Sequence, residues 1–234
     1  MSDLGVFGGD RWYKQIRSDF YAIAEVLFTF PPHREYEKLF LLAIVRRTLS
    51  LELSFRQSIE SRNGQMAATL IRLHLDTVAR LYTLFWAEET KGMCAESLSR
   101  DVANGKEIRK MRLRGSKDQA NDSWLIKQIE PLASWIPKVY KTTSGAIHFS
   151  DFHVKQLMGQ FKSKGRLEGG GLLAELTLGP TDRDANPEHY LEVRQAFLHI
   201  SMLMTVALRH RCELACGEQD WSARPDIHND DTRD

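Results

Sequence analysis

The sequence predicts a mainly α-helical bundle with a small β-hairpin inserted before the last helix. Three observations favour this fold. Apolar residues recur at helical spacing along most of the chain, prolines and glycines separate these stretches, and one segment near residues 149–179 alternates instead. We expect one domain over residues 1–217 and a polar, disordered tail at 218–234, where no periodicity is found.

The first three predicted helices should be antiparallel neighbours. The first covers residues 12–27 and must stop by Pro31. The second extends over 35–62 and ends before the Asn63-Gly64 turn. The third, 65–91, is apolar around most of its circumference, which is typical of a helix at the centre of a bundle. Its narrow polar stripe should face a shared cavity or seam and consists of Gln65, Thr69, Arg72, Asp76, Arg80 and Thr83.

The later elements are predicted from shorter patterns. Residues 106–117 (KEIRKMRLRGSK) form a basic loop or short helix, which is either a solvated surface or a patch that contacts phosphates. A helix over 122–136 should be kinked or broken at Pro131. Alternation on both sides of three glycines predicts the hairpin at about 149–179. The last helix starts at an Asn186 cap and ends near Cys216.

Composition excludes several classes of protein. The chain has 32 basic and 31 acidic residues, so its net charge of +1 gives no global field for nucleic acid or membrane. The N-terminus does not resemble a signal peptide, and the most apolar stretch, 66–87, contains three charges. Three cysteines cannot form the disulfide framework of a secreted fold. We therefore expect a cytoplasmic protein without a membrane span.

Two groups of residues are candidates for a site. Arg72, Asp76 and Arg80 are spaced i, i+4, i+8, so they form either a salt-bridge ladder or an anion or substrate site. Tyr140, Ser144 and His148 also recur every four residues. The histidine is a candidate general acid or base, and the alternative is a buried histidine that holds the bundle and hairpin together.

We expect this second group, Tyr140, Ser144 and His148, to pack against the third helix. A histidine carried into an apolar bundle needs partners for its ring nitrogens, and the only carboxylate on that helix that can supply one is Asp76. His148 is therefore predicted to contact Arg72 and Asp76 directly or through one water. Ser150, which follows closely, and Arg80 would help to bind a ligand.

A weaker alternative site is Arg194-x4-His199, the spacing used by HEPN-type ribonucleases. Gln195 is a loose match to the polar residue that usually follows that arginine, and the apolar residues after His199 indicate a buried helix, so we predict that this pair is not a ribonuclease centre. Cys212 and Cys216 lack a second ligand pair at zinc spacing and are interpreted as packing residues. No metal or cofactor is expected.

Arg72-x3-Asp76 on an apolar helix, followed by Tyr140-x3-Ser144-x3-His148, resembles a bacterial helical family of unknown function, numbered 5677 and compared with abortive-infection and HEPN-like proteins. The resemblance covers about residues 39–216, and this family usually has Glu where the chain has Asp76. It implies a helical bundle with a hairpin and a role in phage defence or as a toxin-like, metal-independent endoribonuclease.

If RNA is the substrate, His148 or His199 would act as general base towards a ribose 2′-hydroxyl, and Arg72 or Arg194 would stabilise the phosphorane. A homodimer would be needed to gather the basic residues 106–117 into one groove. The alternative is a non-catalytic interaction module or a module that binds a small anion, in which Arg72, Asp76 and His148 form a structural network. The partner would then be a small anionic ligand or another protein.

Overall fold

A computed structural model describes residues 5–183 and 186–221, which contain eight α-helices and one β-hairpin. This confirms the predicted fold class. The elements are α1 (Asp10–Phe28), α2 (Glu35–Glu60), α3 (Gly64–Glu88), α4 (Ala95–Ala103), α5 (Asp122–Ile129), α6 (Ile136–Ile147), α7 (Asp151–Met158), β1 (Phe161–Arg166), β2 (Leu172–Leu176) and α8 (Pro187–Cys216).

Helix α3 is the centre of the bundle, as its apolar circumference predicts. It packs against α2, α4, α5, α6 and α8, and α1 covers the outer side of α2 and α8. Leu75, Val78 and Leu81 on successive turns of α3 have no exposed surface. Most of the stability of α3 therefore comes from apolar burial on several sides rather than on one face.

The predicted helix ends are confirmed where local chemistry determines them. The Asn63 side chain accepts a hydrogen bond from the Met66 amide at the start of α3. The Asn186 side chain does the same for Glu188 at the start of α8, with Pro187 in the first turn. Gly217 follows α8 with a φ of +82°, a conformation that disfavours other residues.

The predicted kink or break at Pro131 is a break, because Pro131 lies in a 3-10 turn between α5 and α6. Another predicted element needs correction. Residues 151–158 form α7 rather than the start of a strand, since Ser150 caps this helix by accepting from the Phe152 amide. The hairpin is thus shorter than 149–179, and α7 uses the apolar residues that suggested alternation. The predicted disorder at 222–234 lies outside the described residues.

The basic segment 106–117 is a loop with one 3-10 turn, Ile108–Lys110. Met111 and Leu113 anchor it in the core. Several of its cations pair with nearby carboxylates, namely Lys106 with Asp101, Lys110 with Glu107 and Arg114 with Glu89. These local pairs reduce the charge that the segment offers to a phosphate backbone.

A buried ion pair joins three helices at one end of the bundle. Nε of Arg211 on α8 donates to Oε1 of Glu37 on α2 at 2.6 Å, and the two side chains are only 2% and 1% exposed. A second Arg211 nitrogen lies 3.0 Å from Oε1 of Glu88, near the end of α3. The Glu37 amide in turn donates to Glu96 of α4 at 2.9 Å. This cluster fixes the relative positions of α2, α3, α4 and α8.

Helix α8 is, in the part of the chain that is described, the one helix long and apolar enough to cross a membrane. The core helices of soluble proteins satisfy the same criterion. Here α8 packs against α1 and α3, and its Phe197, Leu198 and Ile200 have no exposed surface.

The Glu37→Gln variant should lose about 3–5 kcal/mol of unfolding free energy, because the buried Arg211 charge loses one of its two carboxylates. Lys38→Gln, which removes a partly exposed ion pair with Glu35 one residue away, should cost less than about 1 kcal/mol. Urea denaturation of both variants measures the difference. Equal losses in the two variants would contradict the role given to this pair.

Candidate functional site

The polar stripe of α3 divides between two environments. Arg72 faces α6, whereas Asp76 and Arg80 line a cleft on another side of the helix, together with Thr77. The stripe therefore faces both a seam and a cavity, which the sequence analysis had treated as alternatives.

Arg72 is enclosed between α3 and α6. Its side chain is 6% exposed, forms an ion pair with Asp76 and lies with Cζ 4.3 Å from the centre of the Tyr140 ring. Asp76 is 14% exposed, so the prediction that both residues are mostly buried and hydrogen-bonded is confirmed. Burial lowers the pKa of the Arg72 guanidinium, and the neighbouring Tyr140 opposes this effect. The guanidinium remains charged at neutral pH, and its cation–π contact with Tyr140 stabilises that charge.

His148 is not bonded to this cluster, and the direct contact predicted between its ring and Arg72 or Asp76 is not found among the described residues. A contact through one water stays a prediction. Helix α6 ends at Ile147, and His148 follows in an extended conformation with φ −115° and ψ 144°. Its ring is exposed, and no hydrogen bond or ion pair in the described chain joins it to α3. The prediction assumed that Tyr140, Ser144 and His148 share one helical face, but α6 ends one residue before His148. In addition, the Asp76 carboxylate is already paired with Arg72.

Ser144 and Ser150 have local structural roles. Ser144 Oγ donates to the Tyr140 carbonyl at 2.5 Å within α6. Ser150 Oγ donates to the Gly145 carbonyl at 3.0 Å and accepts from the first turn of α7. A Cβ on Gly145 would lie 2.7 Å from Cβ of Phe152, so glycine is required for α7 to pack this closely on α6. The two hydroxyls thus fix the turn between α6 and α7.

The cleft beside α3 has a volume of about 560 Å³ and opens between α2, α3 and the segment after α4. Its walls combine apolar side chains with a few charged ones. The apolar part is contributed by Phe40, Ala43, Ile44, Leu73, Val102 and Ile108, and the polar part by Arg47, Asp76, Thr77, Arg80, Lys106, Glu107 and Arg109.

Most charges around the cleft are paired. Asp76 binds Arg72, and Nη2 of Arg80 lies 2.7 Å from Oδ1 of Asp122. Arg47 differs, because Nε donates to Thr77 Oγ1 at 3.0 Å and no carboxylate within the described ranges pairs with it. The Thr77 hydroxyl donates to the Leu73 carbonyl at 2.7 Å, so it presents an acceptor to Arg47. Arg47 is therefore oriented by α3 with both terminal nitrogens available. No sequence pattern distinguishes Arg47 from other arginines.

The weaker pair, Arg194 and His199, does not form one site in this chain. Arg194 lies 3.8 Å from Asp10 at the start of α1. The His199 ring lies between Phe7 and Trp135, at centroid distances of 4.7 and 5.9 Å, and burial lowers its pKa. The two side chains face different neighbours. That His199 has no role in RNA cleavage stays a prediction.

His74 is the histidine that the bundle buries. It lies on the apolar arc of α3, stacks on Phe197 at 4.5 Å and pairs through Nε2 with Ser201 Oγ at 2.9 Å. Because the Ser201 hydroxyl donates to the Phe197 carbonyl, it accepts from His74, which places the ring proton on Nε2. Nδ1 is buried with no partner in the described chain. Burial and the nearby Arg47 charge lower the pKa of His74 to about 3.

The cysteines are consistent with packing roles. Cys212 is buried, and burial raises the pKa of its thiol to about 12, so the reactive thiolate is strongly disfavoured. Across residues 5–183 and 186–221, no three His, Cys, Asp or Glu side chains are grouped so that they could hold a metal ion.

Comparison of the chain with known proteins finds no matching family model, no matching curated protein and no matching solved structure. The class of the protein is therefore defined by its own fold and site: a mainly helical bundle with an apolar cleft that has arginines at its rim.

The environment of His74 predicts that stability falls with acidity. His74 binds a proton near pH 6.5 in the unfolded chain and only near pH 3 in the folded chain. The contribution of His74 to the free energy of unfolding is therefore fully present above pH 6.5. It decreases by about 1.4 kcal/mol for each pH unit between pH 6.5 and pH 3. His74→Leu should flatten this slope between pH 6 and 4 in urea denaturation, whereas His189→Leu on the exposed side of α8 should keep it. An unchanged slope in His74→Leu would contradict the assignment.

The contact between Arg72 and Tyr140 predicts a difference between two substitutions. Tyr140→Phe keeps an aromatic face against the buried guanidinium and should cost little. Tyr140→Leu removes that face and should lower the unfolding free energy by about 1–2 kcal/mol more. Thermal and urea unfolding measure both, and equal stabilities would show that the ring serves only as apolar packing.

Proposed function

We propose that this protein binds a small organic anion in the cleft between α2, α3 and the segment after α4. The observation that carries the proposal is Arg47, a guanidinium without a carboxylate partner in the described chain, held by Thr77 at the edge of an apolar cleft. Convergent polar groups on an otherwise apolar concave surface are typical of small-molecule sites.

The chemistry of the walls defines the class of ligand. Phe40, Ile44 and Leu73 offer an apolar surface on one side, which suits a hydrocarbon chain or ring. Arg47 and Arg80 lie at the polar side, and a guanidinium binds carboxylate or phosphate oxygens with two parallel hydrogen bonds. The cleft volume of about 560 Å³ lies in the range of small-molecule sites. We infer an amphiphilic anion with one phosphate or carboxylate group.

Charge balance favours an anion. Asp76 is neutralised by Arg72, and Glu107 pairs with both Arg109 and Lys110. Neither carboxylate therefore leaves an unbalanced negative charge in the cleft. Arg47 is exposed and contributes a positive charge that no carboxylate of the described residues balances.

RNA cleavage in phage defence by a HEPN-like protein of family 5677 stays a prediction. We place ligand binding first because the residues assigned to cleavage have other contacts: Arg72 binds Asp76 and Tyr140, and Ser144 bonds within α6. His148 is exposed, and no hydrogen bond or ion pair among the described residues joins it to another side chain. Binding of an anion needs none of these groups. A cytoplasmic location stays a prediction.

Isothermal titration with hexyl phosphate tests the proposal, with hexanol and inorganic phosphate as probes of the two halves of the ligand. We expect wild-type protein to bind hexyl phosphate more tightly than either probe. Arg47→Gln should weaken binding about 10–100-fold, the effect of one charge-assisted hydrogen-bonded contact. Arg46→Gln is the matched control, since Arg46 is the exposed neighbour on α2 and does not line the cleft.

Two results would overturn the proposal: no binding of hexyl phosphate by the wild-type protein, or equal weakening in Arg46→Gln and Arg47→Gln. An RNA-integrity assay with wild type and His148→Ala tests the other function. Cleavage that disappears in His148→Ala, with the fold retained, would place RNA first.

A further inference from the structure

The β-hairpin is an isolated ribbon on the surface of the bundle. All six residues of β1 and all five of β2 are exposed, so neither face of the sheet packs on the helices. The main contacts of each strand are with the other strand. A lone two-stranded hairpin is marginally stable in water, and stable sheets need a third strand or a covered apolar face.

The hairpin and α7 expose several large apolar side chains. Phe149 is 89% exposed, Leu178 78%, Leu172 69%, Met158 62% and Leu173 46%. Exposed apolar side chains grouped on one part of a surface are typical of protein interaction sites.

The two edges of the hairpin differ in how they resist pairing. β1 carries Lys162, Lys164 and Arg166, and its register shifts between Ser163 and Gly165. Lysines and bulges are the usual means by which proteins protect a strand edge. β2 (LLAEL) has neither, and its only charge, Glu175, is neutralised by Lys164 and Arg183. β2 is therefore the edge that remains available for another strand.

We propose that the β2 edge pairs with β2 of a second copy of this chain, which forms a four-stranded antiparallel sheet about a two-fold axis. The register that pairs all five residues is centred on Ala174. It places Leu172 of one copy opposite Leu176 of the other, and Leu173 opposite Glu175, so no like charges meet. Pairing through β1 edges would instead bring lysines and arginines together, which is unfavourable.

A second copy of this chain is the partner that best matches the β2 edge. A two-fold interface requires a self-complementary patch, and β2 is self-complementary in this register because leucine meets leucine. The paired sheet would have four strands, which removes the marginal stability of the lone hairpin. The anion cleft is formed by α2, α3 and the segment after α4, so the inference does not depend on the proposed ligand.

Light scattering coupled to size exclusion, over a concentration series of the full chain, tests this inference. The wild type should show twice the 26.9 kDa mass of one chain.

The double variant Leu172→Lys/Leu176→Lys places lysine opposite lysine and should weaken the dimer at least ten-fold. Leu172→Lys/Leu176→Glu places opposite charges together in the same register and should retain the dimer. Leu39→Lys/Leu53→Lys on α2, at residues 50% and 49% exposed, is the matched control and should not change the mass.

Circular dichroism verifies that each variant keeps its helical content, because the hairpin lies outside the helical core. A wild type that stays monomeric at every concentration would overturn the inference, including one that instead binds lipid vesicles through these leucines. A Lys/Lys variant that remains dimeric, or a Lys/Glu variant that dissociates as fully as Lys/Lys, would equally contradict pairing through β2 in this register.

Discussion

The burial of helix α3 is the constraint on which the rest of the structure depends. A helix that is apolar on most sides can be covered only by several neighbours, and here five helices surround it. Its charged residues then need partners inside the bundle. Arg72 obtains them from Asp76 on the same helix and from the Tyr140 ring on α6. Helix α6 therefore packs where its Tyr140 ring can stabilise the buried charge of Arg72.

The same need for internal partners recurs at the other end of the bundle. Arg211 is buried between Glu37 and Glu88, and removing either carboxylate would leave its charge in the core with only one partner. These two clusters make the helical core a rigid frame for the surfaces where function is proposed. Arg47 projects from α2 and bonds to Thr77 on α3, so the frame determines where its guanidinium lies.

The sequence was sufficient for properties that depend on one helix at a time. The periodicity of α3 predicted its central place and the burial of Arg72 and Asp76, and Asn186-Pro187 predicted the start of α8. Properties that depend on two elements were not accessible. The end of α6 at Ile147 leaves His148 exposed, and only packing shows that Arg47 has no carboxylate partner among the described residues. The burial of His74 and its hydrogen bond to Ser201 likewise depend on how α3 packs on α8.

Arg72 is assigned to the stability of the fold, and Arg47 is proposed to bind the ligand. NMR of the arginine side chains, with and without hexyl phosphate, distinguishes these two roles, because hydrogen exchange at Nε and the shifts of the guanidinium report burial and contact separately for each residue. Slow exchange and unchanged shifts are expected for Arg72 in both states, and changed shifts and slower exchange for Arg47 when the ligand is added. Ligand-induced changes at Arg72 with none at Arg47 would overturn both assignments.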